Sequence, residues 1–146
     1  KQAHVYSYTS KSDWFGMTPF ESLSTGLPTI ATANNGYFEF LKKYIIDLDY
    51  EEEEIGNKHP YLLGKWSKPD LNHLEKLMNE VVRPEVYKII AEWTFENSKK
   101  IIEEFTWENV TKKYLVPFLE TVDSEHTIIK RPYYINNVKR LISGYP

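Results

Sequence analysis

Residues 9–28 constrain this chain more than any other stretch. Two β-prone runs, residues 3–8 and 27–32, enclose a small polar loop, a glycine and a short helical pattern. Gly16 permits a tight turn or a close backbone approach. Thr18 reads as an N-cap, Pro19 suits the first helical position, and Glu21 stands where a capping box places its carboxylate. Phe20, Leu23 and Ser24 supply a short packing face, and Gly26 ends the helix. A turn at Asn34-Asn35-Gly36 follows, then a short helix over residues 37–43 and one more short strand within residues 44–49. Strand, helix, strand, helix at this spacing predicts a parallel α/β sheet with Rossmann-like connectivity. The loop over residues 9–13 then lies at the carboxyl end of the first strand, the edge at which open α/β sheets bind ligands.

The rest of the chain reads as support. The acidic run of Asp47, Asp49 and Glu51 to Glu54 matches no calcium loop and is expected to be a solvated surface loop. Residues 61–63 form a short apolar patch. Ser67 is expected to cap a helix carrying Leu71, Leu74, Leu77, Met78, Val81 and Val82. Pro84 opens another with Val86, Ile89, Ile90, Trp93, Ile101 and Ile102 on one side. Thr106 caps a third with Val110, Tyr114 and Phe118 in register, which Pro117 kinks or closes. From His126 onward the chain is basic, with Lys130, Arg131, Lys139 and Arg140 and no acid after Glu125. Ile135, Val138, Leu141 and Ile142 suggest a short amphipathic helix there, which either docks on the same protein or touches anionic lipid. The expected organisation is a main domain over residues 1–125 and a basic tail or helix over residues 126–146.

Composition narrows the function classes. A net charge of −3 supplies no basic field to recruit nucleic acid. No cysteine is present, which excludes disulfides and thiolate zinc sites and fits a reducing compartment. A cytoplasmic location is therefore expected, with peripheral membrane contact open through the tail. No apolar run approaches the ~20 residues of a membrane span. The strand-like residues 3–8 have nothing before them, so an N-terminal part is expected to be missing.

At residues 9–28 two carboxylates flank an anion-binding turn. A glycine followed by a helix start turns free amides and the positive end of the helix dipole toward a ligand. The amides of Met17 and Thr18, with the Thr18 hydroxyl, are candidates for a diphosphate. Asp13, just before the turn, can accept hydrogen bonds from hydroxyl groups. Glu21 either closes a capping box with Thr18 or takes both hydroxyls of a ribose. No complete phosphate-loop signature is present.

These residues resemble the C-terminal, donor-binding domain of retaining GT-B glycosyltransferases of the group-1 family (family 4). That family's pattern is Pro-Ser-x-x-Glu-x-Phe-Gly-(Leu/Ile), a second Glu eight positions on, and then Gly-x-Pro-Val-Ile-Ala. Here the matching residues are Ser10, Lys11, Ser12, Asp13, Trp14, Phe15, Gly16 and Met17, then Glu21, then Gly26, Leu27, Pro28, Thr29, Ile30 and Ala31. Asn34-Asn35-Gly36-Tyr37-Phe38-Glu39 is similar to the family's Asn-x-Gly-Gly-x-x-Glu loop, and Phe105-Thr106-Trp107 to its Phe-Ser-Trp step before the last helices. The resemblance implies a parallel sheet followed by C-terminal helices, and a nucleotide-sugar donor. It also implies a glycan, lipid-linked or protein acceptor, and transfer with retention through an oxocarbenium-like state. It assigns Asp13 the catalytic carboxylate's place beside the donor sugar. Phe15, Gly16, Met17 and Thr18 would face sugar and phosphates, and Glu21 would bind the ribose. No metal or other cofactor is implied.

The departures are specific. Asp13 replaces Glu and is one methylene shorter, Pro19 sits one place late, and Tyr37 replaces the second glycine. The family's upstream Arg and Lys and its acceptor-binding N-terminal domain have no counterpart in residues 1–146. The alternatives are a non-catalytic GT-B-like assembly module and another GT-B enzyme, a sugar-nucleotide epimerase or a phosphorylase.

Overall fold

The computed structural model describes residues 3–55 and 64–125. The apolar patch at 61–63 and the basic tail from His126 lie outside them. The chain divides between Glu104 and Phe105 into two compact units.

The first unit opens with β1 (Tyr6–Tyr8), α1 (Met17–Ser24), β2 (Thr29–Thr32), α2 (Phe38–Leu41) and β3 (Ile46–Leu48). The three strands form a parallel sheet in the order β1-β2-β3, with Tyr6 opposite Thr29 and Ile30 opposite Ile46. This is the predicted α/β pattern, with both outer strands shorter than their β-prone runs. All four residues of β2 are buried, as befits a central parallel strand covered on both faces. Ile30, Leu48 and Val81 form a core cluster, with Val5, Ile46, Leu74, Leu77 and Ile90 packed against it.

α1 ends as its sequence requires. The amide of Gly26 donates to the Leu23 carbonyl at 2.9 Å and that of Leu27 to the Ser22 carbonyl at 3.2 Å. Gly26 is left-handed, with φ +74°. This is a Schellman termination, which favours glycine at that place. The start of α1 differs from expectation. Gly16, also left-handed at φ 70°, is the capping residue, and no side chain caps the helix. Thr18 is already inside it, so Thr18 and Glu21 form no capping box. The residue that ties down the backbone before this helix is Asp13, described below.

The acidic run also differs. Residues Tyr50–Glu54 are a strand, β4, paired antiparallel with β5 (Lys65–Pro69). Successive glutamates point to opposite faces, and lysines of the partner strand offset them. Lys65 meets Glu52 at 2.8 Å and Lys68 meets Glu51 at 4.0 Å. Ser67 is buried within β5. The cap of α3 (Leu71–Val81) is Asp70, whose carboxylate accepts from the amides of Asn72 and His73.

α4 (Pro84–Glu104) opens at Pro84 as expected. Its buried face is Thr94, Ser98 and Ile101, at i, i+4 and i+7, whereas Ile89 and Ile102 are exposed. The two hydroxyls turn back on their own helix, to the carbonyls of Ile90 and Phe95. Small hydroxyl residues therefore carry part of a face that an apolar stripe would assign elsewhere. α4 packs on α1 and α3.

The second unit is helical. Thr106 caps α5 (Trp107–Val110), accepting from the Asn109 amide at 3.2 Å. A π-helical segment over Thr111–Leu115 leads into α6 (Val116–Glu125). Pro117 does not close the helix. It stands directly after the widened turn, within helical backbone that continues past it. Among the described residues no helix is long and apolar enough to cross a membrane.

At Gly26 a Cβ would come within 3.0 Å of the Phe95 ring, and a left-handed φ disfavours any L side chain. Gly26→Ala should destabilise the protein by about 1–2 kcal/mol, read as a lower urea midpoint at unchanged slope.

Candidate functional site

The site is built by two loops at the carboxyl edge of β1 and β2. The first runs from Tyr8 to Gly16, and its centre is the Asp13 carboxylate. One oxygen, Oδ1, accepts from the amides of Phe15 at 3.1 Å and Gly16 at 2.9 Å. The other, Oδ2, accepts from the Tyr8 hydroxyl. This side chain closes the turn on its own backbone, as aspartate does in Asx-type turns. It holds Gly16 in the conformation that starts α1.

The second loop runs from Thr32 to Tyr37. Asn35 has φ 82°. Its Oδ1 accepts from the Asp13 amide at 3.0 Å. A Cβ on Gly36 would land on the Trp14 carbonyl, and one on Gly16 would strike the Tyr37 ring. Tyr37 is fully buried and donates its hydroxyl to the Thr32 carbonyl at 2.7 Å. The two loops interlock through their glycines, and glycine is required at both contacts by close approach.

The β4–β5 hairpin braces the same edge. The Ser67 amide donates to the Lys11 carbonyl at 2.8 Å, and Asn34 donates to the Ser67 hydroxyl at 2.6 Å. Lys11 pairs with Glu53 at 2.8 Å and lies 4.5 Å from the Trp66 ring centre.

Electrostatics follow this geometry. The Tyr8 hydroxyl, chiefly, holds the Asp13 carboxyl below the usual carboxylate range, with the Gly16 and Phe15 amides acting the same way and burial opposing them. Burial, and then Asp13, push the Tyr8 phenol up, while the hydroxyls of Ser10 and Thr18 draw it down. Burial pushes Tyr37 up to about 12. Thr32, at the carboxyl end of β2, is fully buried and its hydroxyl has no hydrogen-bond partner.

The expected site residues thus take different places. Asp13, Phe15, Gly16, Met17, Thr18 and Glu21 form one continuous loop and helix start. Asp13 is engaged on both oxygens, Gly16 is buried, and Met17, Thr18 and Glu21 are exposed. Helix geometry leaves the Met17 and Thr18 amides without an intrahelical acceptor, and Pro19 has no amide. Tyr8 belongs to the site although no motif marks it. The signal in the sequence is its place at the end of a strand, five residues before the aspartate it meets. Among the described residues no cluster of three His, Cys, Asp or Glu is arranged to hold a metal. A comparison with family models, curated proteins and solved structures returns no significant match.

Asp13 gives acid sensitivity a definite sign. Its folded-state pKa is depressed, so its contribution is complete above the unfolded value of about 3.9 and is lost as pH falls below it. The wild type's resistance to urea should fall as pH drops from 5 to 3. Asp13→Ala should be less stable at pH 7 and show a shallower loss over that window. Equal slopes for the two proteins would remove Asp13 from the acid response.

Proposed function

We propose that this chain is the donor-binding part of a retaining GT-B glycosyltransferase. In this reading the amino end of α1 takes the diphosphate through the Met17 and Thr18 amides and the Thr18 hydroxyl. Glu21 accepts from the ribose hydroxyls, and the sugar lies against the loop of Asp13, Phe15 and Gly16. Transfer would go to a glycan, lipid-linked or protein acceptor with retained configuration. Fixed amides facing the departing diphosphate would stabilise the charge that grows on it. The observation that carries this reading is the position of a glycine-led helix start, with an exposed carboxylate one turn in, at the carboxyl edge of a parallel sheet. The ordered resemblance to the family's motifs supports it.

A second reading, a non-catalytic module of the same fold, is favoured by one specific feature. Both Asp13 oxygens and the Phe15 and Gly16 amides are engaged with one another, and Tyr37 lies against Gly16. A carboxylate used in this way organises its loop and has little left to offer a reacting sugar ring.

The readings separate in a binding and turnover panel with UDP-, GDP- and ADP-sugars. For an enzyme, Glu21→Ala weakens donor binding at least tenfold, and Asp13→Ala abolishes hydrolysis or transfer while the donor still binds. For the non-catalytic module, donor binds without turnover and Asp13→Ala changes only stability. If no donor binds the wild type, both forms of the donor-site reading fail.

A further inference from the structure

The loop that Asp13 organises points its largest side chain outward. Trp14 is 98% exposed. Its backbone is nevertheless held on every side. The preceding amide is bound by Asn35, the two following amides by Asp13, and Gly36 packs against its carbonyl. The next side chain has packing partners: the Phe15 ring, itself partly exposed, stacks on Phe20 at 5.0 Å between centroids and leans on Phe40 at 5.8 Å. Leaving an indole in water forgoes the favourable burial of a large apolar surface. Mounting it on a rigid loop means that little backbone order is lost when a ligand covers it.

What the loop can recognise is narrowed by what it has already spent. The Phe15 and Gly16 amides are bound to Asp13, so they are not available to read a ligand's hydroxyls. The loop's outward offering is a flat, electron-rich indole face, followed in α1 by the exposed acceptors Thr18 and Glu21. An apolar C–H face with a rim of hydroxyl donors complements that set, and this is the surface of a pyranose ring.

We propose that Trp14 is a stacking platform for a hexopyranose ring at the edge of the donor site, the ring belonging either to the donor's sugar or to a glycan acceptor. The inference rests on the donor-site reading above and adds the residue that would set sugar selectivity there. Being exposed, Trp14 is replaceable without disturbing the fold, and Trp14→Ala should unfold at the wild-type temperature.

The test uses the full chain, wild type, Trp14→Ala and Trp14→Phe. Binding is measured by calorimetry and by the indole N–H resonances, with Trp14→Ala identifying the Trp14 signal by its loss. The probes are UDP-glucose and GDP-mannose, the free nucleotides UDP and GDP, and two oligosaccharides, maltoheptaose and mannopentaose. We expect the Trp14 resonance to move with a sugar-bearing probe. Trp14→Ala should weaken that probe at least tenfold, leave UDP and GDP unchanged, and be largely rescued in Trp14→Phe. Loss confined to the nucleotide-sugars assigns the ring to the donor, and loss confined to the oligosaccharides assigns it to the acceptor. Oligosaccharide binding that depends on Trp14, with no nucleotide bound, overturns the donor-site reading and keeps the platform. Wild-type affinity of Trp14→Ala for every sugar overturns the platform and leaves the donor site intact. Absence of binding by every probe overturns both. Concentration-dependent self-association that Trp14→Ala abolishes, with no effect of any sugar, assigns Trp14 to a protein contact and overturns the platform.

Discussion

The carboxyl edge of this sheet depends on where one carboxylate directs its two oxygens. Asp13 draws the Tyr8 hydroxyl from the end of β1 and the Phe15 and Gly16 amides from the start of α1 onto a single group. Strand end, turn and helix start are thereby fixed relative to one another. Hydrogen bonds to an ionised acceptor are stronger than neutral ones, so three on one carboxylate make a firm junction. A glycine cap in place of Thr18 follows directly. The amides before the helix are already satisfied by Asp13, and the left-handed turn this imposes suits only glycine well.

The junction has consequences on both sides. Toward the interior it sets Gly16 against Tyr37 and the Trp14 carbonyl against Gly36, so the two loops are locked by close backbone approach. The Lys11, Asn34 and Ser67 contacts extend that lock to the β4–β5 hairpin. Toward solvent it leaves the first amides of α1, Thr18, Glu21 and the Trp14 ring. A glutamate reaching out to a donor sugar and an aspartate folded back on its own loop differ by one methylene. Here the shorter side chain lies where its own backbone amides satisfy it. The donor-site proposal therefore places ligand recognition on the helix start and the exposed side chains.

Much of the described chain was legible from residues that allow few alternatives. Gly16, Pro19 and Gly26 bracket α1, the apolar run after it is β2, Pro84 opens α4 and Thr106 caps α5. What escaped depends on partners distant in sequence. Four consecutive glutamates form a strand because Lys65 and Lys68 lie across from them. Ser67 is a buried strand residue because it bonds Asn34 and Lys11. Thr94 and Ser98 face inward because their hydroxyls are satisfied within their own helix, which a count of apolar residues does not register. At the site the residues that gather were legible as a group, because they are contiguous. The engagement of Asp13 by Tyr8 and the burial of Tyr37 were not, because both arise from the way two loops meet.

On the donor-site reading, the amino end of α1 is a ligand-binding surface whose loop is already organised by Asp13, and following backbone amide resonances of the full chain during titration with UDP, GDP and ADP tests this most directly. We expect at least one nucleotide to shift the Met17 and Thr18 amides strongly and those of Phe15 and Gly16, held by Asp13, much less. A titration in which no amide between Asp13 and Glu21 moves with any of the three would contradict it.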